Sequence, residues 1–120
     1  MNQRWKLQAL ICLGVIALVS LSGAHAQTPK PLRIGLIGPF SGPSSDFGNP
    51  MLNGAKLALD EINAAGGYLG RPIEFVIKDD TANPDVGLQH SQELVQDGVV
   101  GTTGFCNTGV AMKSLAVFQQ

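Results

Sequence analysis

Phe105-Cys106-Asn107-Thr108-Gly109 sets a thiol, an amide and a hydroxyl side by side, just ahead of an apolar helical stretch that begins at Val110. Side chains of this kind at a helix start have two uses. They cap the helix, or they join the free backbone N–H groups of its first turn in holding a carboxylate. Both readings stay open for Asn107 and Thr108. Ser44-Ser45-Asp46 lies in a second polar stretch, between Pro39 and Gly48, and can face the same ligand. Asp79-Asp80 is a third polar pair. Adjacent carboxylates at a strand end point to opposite sides, and no His or third carboxylate accompanies them, so loop hydrogen bonding is expected rather than metal binding. His90 sits among polar residues in mid-helix and is expected at the surface. Gly35, Gly38 and Gly42 do not have the G-x-G-x-x-G spacing, and the lysine of a P-loop is absent. No Ser-His-Asp or Cys-His pairing is evident. The chemistry expected is binding, not catalysis, and no cofactor is expected.

These residues fall at the ends of regular elements. Leu32 to Gly38 is a short, nearly continuous apolar run stopped by Pro39, as suits a strand buried on both faces. A loop from Pro39 to Gly48 follows. Asn49-Pro50 then reads as a cap and first residue of a helix carrying Leu52, Ala55, Leu59 and Ile62 inward and ending at Gly66-Gly67. Ile73, Phe75 and Ile77 alternate with Glu74, Val76 and Lys78, a second strand nearer a sheet edge. Asn83-Pro84 repeats the cap-plus-proline device and opens a helix to about Gln96, with Leu94 and Val95 inward. Val99 to Thr103 reads as a weak third strand, and Val110 to Gln120 as the start of a third helix. The order βαβαβα implies an α/β fold with a parallel sheet and right-handed crossovers. Such sheets bind ligands beyond the carboxyl ends of their strands, here Gly38–Gly48, Asp79–Asn83 and Gly104–Gly109.

The 120 residues are not all expected to remain together. Residues 1–26 have the form of a secretory signal peptide: Arg4 and Lys6, an apolar run from Leu7 to Leu21, then Ala24-His25-Ala26 as a cleavage site. Cys12 lies inside the apolar run behind the bulky Ile11, which excludes lipidation. Residues 27–31 form a short tail, and residues 32–120 the truncated N-terminal part of an α/β lobe. From residue 27 onward six basic side chains face nine acidic ones, so nucleic acid is a poor partner. The chain ends inside an expected helix and is expected to be the front of a longer protein.

Three stretches in register carry a family likeness: Ile34-Gly35-Leu36-Ile37-Gly38-Pro39-Phe40-Ser41-Gly42-Pro43, then Asn53 to Gly67, then Gly70-Arg71-Pro72-Ile73-Glu74, with Asp79-Asp80 and Asn83-Pro84 following in order. The chain resembles the periplasmic Leu/Ile/Val-binding proteins, the type I solute-binding proteins of ABC importers. The resemblance implies a monomeric, periplasmic protein of two α/β lobes that clamps a small amino-acid-like ligand and delivers it to permease subunits in the inner membrane. This chain would supply the start of lobe 1. The resemblance further implies carboxylate contacts from the Phe105–Gly109 loop, Cys106 included, with the usual hydroxyl donor falling on Asn107 or Thr108. It implies an aromatic packing on the ligand side chain, which falls on Phe47 near Ser45, with packing under its own loop as the alternative. Some members carry half of a disulfide where Cys106 stands; the partner position falls on Ala82, so Cys106 is expected to be a free, partly buried thiol. A ligand-sensing receptor of the same fold, or a fragment that binds nothing by itself, are the other readings.

Overall fold

The structure, a computed structural model, describes residues 29–119. The expected signal peptide, with Cys12, lies outside the described residues. Three parallel strands run in the order β2-β1-β3: β1 is Leu32–Gly38, β2 Ile73–Asp79 and β3 Gly101–Gly104. The register pairs Leu32 with Ile73 and Gly38 with Asp79 on one side, and Ile34 with Gly101 and Ile37 with Gly104 on the other. β1 is central, which is why its sequence is a continuous apolar run; its last four residues are buried. β2 lies at an edge and alternates, as its sequence suggests.

Helix α2, Pro84–Gln96, covers β1. Leu94 is fully buried, and its Cδ1 would stand 2.9 Å from a Cβ placed on Gly35. Leu36, Ile37, Leu94 and Val110 are the fully buried large apolar side chains among the described residues, each contributing about 1.5–3 kcal/mol by leaving water. Val95, expected inward beside Leu94, is 48% exposed. One residue turns a helix by about 100°, so neighbours cannot both face a flat sheet.

Two boundaries differ from expectation. Helix α1 runs Ser45–Ala64, so it opens well before Asn49-Pro50 and carries Pro50 inside it. The chain starts to coil at Ser44, whose carbonyl accepts from Phe47 N at 3.1 Å and Gly48 N at 3.3 Å. Gly48 is the buried residue of this helix and rests directly on the Pro39 backbone, where a side chain would collide. Proline tolerates the first turns of a helix, and this one sits just past them at the cost of one bond. β3 begins at Gly101 rather than Val99: the chain still bends at Val100, although its N–H already bonds to Arg33 O of β1 at 2.8 Å. Helix α3, Thr108–Ser114, passes into a 3-10 turn at Leu115–Gln119 instead of continuing as one helix. At the far end of α1, Asn63 clamps β2 by donating to Ile73 O at 2.9 Å and accepting from Ile73 N at 2.8 Å.

Candidate ligand-binding site

Three loops meet at the carboxyl edge of the sheet, and backbone bonds to β1 hold them in order. Gly38 O accepts from Asp80 N at 3.0 Å, and Ile37 O accepts from Phe105 N at 3.0 Å. Gly104, at φ 131°, packs on the Ile37 carbonyl and takes a backbone conformation that a side chain would strain. The described residues hold four non-glycine residues at positive φ, and three of them are here: Thr81 at 50°, Ala82 at 60° and Phe105 at 64°. Strained backbone of this kind gathers where surrounding structure imposes a geometry, functional sites above all.

Asp79 is the knot of the site. Its Oδ1 accepts from Phe40 N at 2.9 Å and from Thr81 N at 3.0 Å, which ties the loop after β1 to the loop after β2. Burial works to raise its pKa, but hydrogen bonds from the Ser41 hydroxyl and from the Thr81, Phe40 and Ser41 N–H groups outweigh it and hold the carboxyl below its ordinary value. Asp80 points the other way, as expected of the pair. It is fully buried, and its Oδ1 accepts from Ala82 N at 2.8 Å. Both carboxylates do loop work, and among the described residues no group of three His, Cys, Asp or Glu could hold a metal ion.

The loop after β3 carries the expected ligand residues. Asn107 stands at the N-cap of α3 with φ −102° and ψ 122°, yet its side chain makes no capping bond. Its Oδ1 is sealed from solvent and has no partner. The capping bond that Asn83 makes at the start of α2 is absent here. Thr108 is the first residue of α3 and is exposed. Cys106 is free, and it is exposed rather than partly buried. The loop swings its thiol outward against α1, where Sγ meets Met51 Sδ at 3.7 Å. Burial and the Asp80 charge push the Cys106 thiol up. Ser45 and Phe47 are displaced from the expected loop into the first turn of α1. Phe47 is 73% exposed, so it does not pack under its own loop. The structure thus brings Cys106 against Met51 and leaves Phe47 facing solvent. Met51 was missed; its helical position beside Leu52 reads as core. His90, expected at the surface, is instead half-buried and bonded to Glu93 at 3.0 Å.

A groove of about 520 Å³ lies elsewhere, on the β3 flank, lined by Val95, Val100, Phe105, Leu115 and Phe118 among others. It is lined mainly by apolar side chains and carries no charged group.

A parallel sheet with three loops tied at its carboxyl edge, two of them carrying non-glycine residues at positive φ, has the form of the mouth of an α/β binding lobe. The sequence profile described as periplasmic binding protein matches residues 31–120. The chain is 36% identical over 106 residues to the Leu/Ile/Val-binding protein BraC3 of Rhizobium johnstonii, a match covering 88% of this chain and 28% of that protein. It is 32% identical over 100 residues to Leu/Ile/Val-binding protein homolog 3 of Brucella melitensis, covering 83% and 27%. Among solved structures it resembles the branched-chain amino acid transporter substrate binding protein LivJ of Streptococcus pneumoniae in complex with isoleucine. That match has a TM-score of 0.73 and 34% identity, and covers 75% of this chain and 26% of the other. The chain belongs to the periplasmic binding protein family, a family of solute-binding proteins. It spans little more than a quarter of the length of the curated relatives it matches.

Proposed function

We propose that this chain is the first part of the solute-binding component of an ABC importer for branched-chain or related amino acids. The observation that carries the reading is the family match over residues 31–120, with Asn107 and Thr108 standing at the start of α3 on the carboxyl edge of the sheet. In this reading the Asn107 amide and the Thr108 hydroxyl donate to the carboxylate of an amino acid, while Phe47 and Met51 meet its side chain. A second lobe closes over the ligand and removes it from water. Residues 1–26 direct export and are cleaved after Ala26, and the permease subunits receive the ligand at the inner membrane. The protein acts as a monomer and performs no catalysis.

Calorimetry of the full-length protein with leucine, isoleucine and valine tests the reading. Saturable binding of at least one of them, abolished by blocking its carboxylate as the amide, is expected. Absence of binding to all three would remove the proposal.

A further inference from the structure

Three polar or charged residues are fully buried among the described residues: Asp80, Ser91 and Ser114. They gather around Gly87 of α2, behind the loops of the site. Ser91 donates its hydroxyl to the Gly87 carbonyl at 2.8 Å. A Cβ on Gly87 would stand 3.6 Å from both Asp80 Cβ and Ser114 Oγ, and it would strike Val110. The missing side chain is therefore what lets β2, α2 and α3 approach so closely.

Two atoms in this seam have no hydrogen-bond partner: Asp80 Oδ2 and Ser114 Oγ. Buried polar groups are paired in stable proteins, with protein or with ordered water. The two are complementary. A carboxylate oxygen accepts and a serine hydroxyl donates, and Asp80 Cβ and Ser114 Oγ stand equally close to the same point on Gly87, beside Val110.

We propose that Asp80 is a positioning residue for the ligand loop: its Oδ2 pairs with the Ser114 hydroxyl through one bridging water and ties the end of β2 to α3. The inference rests on the reading that the segment Cys106–Thr108, where α3 begins, meets the ligand carboxylate. Pairing at Ser114 holds α3 from behind and so fixes where Asn107 and Thr108 stand.

The same geometry gives Asp80 an electrical role. Burial raises its pKa, the Ala82 N–H opposes this, the Asp79 charge on its own strand end adds to it, and His90 of α2 opposes it; the net direction is upward from 3.8. Lys113 of α3 is engaged with Asp85. On the loop side, the Asp80 charge is felt at Cys106. A carboxylate held against Cys106–Thr108 feels the same repulsion, so its arrival draws a proton onto Asp80. Affinity then rises as pH falls through the Asp80 range, and binding takes up protons.

The test is calorimetry of leucine binding to the full-length protein, across a pH series and in buffers of different ionisation enthalpy, which counts protons taken up. Wild type is expected to take up protons on the acid side, and Asp80→Asn to take up none. Ser114→Ala removes a donor to the carboxylate, so its uptake profile is expected to shift to higher pH. A purely structural role would move neither profile. Equal uptake in wild type and Asp80→Asn, or superimposed profiles for wild type and Ser114→Ala, overturns the inference. If wild type binds no leucine, the functional reading fails instead. The pairing is then decided by NMR titration of the Asp80 carboxyl in the free protein, which Ser114→Ala must shift upward; no shift overturns it.

Discussion

Asn83 and Asn107 hold the same position in two successive helices and use it differently. Both are N-caps, with φ −102° and ψ 120° at Asn83 and φ −102° and ψ 122° at Asn107. Asn83 Oδ1 accepts from Asp85 N at 2.9 Å and Val86 N at 3.5 Å. Asn107 Oδ1 accepts from neither of the corresponding groups, and is buried without a partner. The contrast leads to opposite expectations for the two side chains. Asn83→Ala is expected to cost about 1 kcal/mol of stability and to leave ligand affinity alone. Asn107→Ala is expected to do the reverse: little change in denaturation midpoint, and a loss of about 1–3 kcal/mol in binding an amino acid through its carboxylate. Denaturation and calorimetry on the same two variants check both halves. A stability loss at Asn107 equal to that at Asn83 would return it to the role of a cap.

Asp79 joins two loops through one oxygen, and this sets its pH dependence. Its carboxyl is lowered in the folded state. Its contribution is therefore fully present above the ordinary carboxylate range and is lost as pH falls through the lowered folded value. Asp79→Ala leaves the Phe40 and Thr81 N–H groups without their acceptor, and is expected to cost about 1–3 kcal/mol. Asp79→Asn keeps an oxygen there and is expected to retain most of the stability while flattening the acid limb. Chemical denaturation of both variants at neutral and acid pH distinguishes the loss of the acceptor from the loss of charge.

The parts of this structure that the sequence made legible are those written in local patterns. β1 announces itself because a central strand needs apolar residues on both faces. Asn83-Pro84 announces α2 because capping and proline geometry are decided within four residues. The start of α1 was hidden for the opposite reason. It depends on Gly48 lying against the Pro39 backbone, a contact between segments, while the local signal at Asn49-Pro50 pointed further along. The site followed the same division. Strand ends located its three loops, but the contact of Met51 with Cys106 and the burial of Asp80 arise from packing between elements and leave no pattern in sequence.

Lys78 on β2 and His90 on α2 both reach Glu93, Lys78 Nζ at 2.8 Å and His90 Nδ1 at 3.0 Å. Hydrogen bonds from Lys78, His90 and Gln89 lower the Glu93 carboxyl to about 2 from its ordinary 4.5. A lowered carboxyl stabilises the fold above its unfolded value, and that support drains away as pH falls from about 4.5 toward about 2. Glu93→Gln is expected to leave a smaller fall in melting temperature across this window than wild type shows. Because the group is at the surface, raising the salt concentration is expected to shrink the difference. Identical acid limbs for the two proteins would show that the cluster carries no stability.

Cys106 offers a direct view of the site. Its thiol is exposed, so a maleimide can reach it, but burial of its surroundings and the Asp80 charge raise its pKa above 9.0. The reactive species is the thiolate. Labelling near neutral pH is therefore expected to be slower than for a free thiol of equal exposure, and to climb through the alkaline range. Asp80→Asn removes one of the two causes and is expected to speed labelling near neutral pH without changing the exposed area. An amino acid seated against Cys106–Thr108 is expected to slow labelling in proportion to its occupancy, which gives an affinity without calorimetry. Labelling followed by mass spectrometry, with and without leucine, reads all three effects. A rate unaffected by any ligand that the protein demonstrably binds would place the ligand away from this loop.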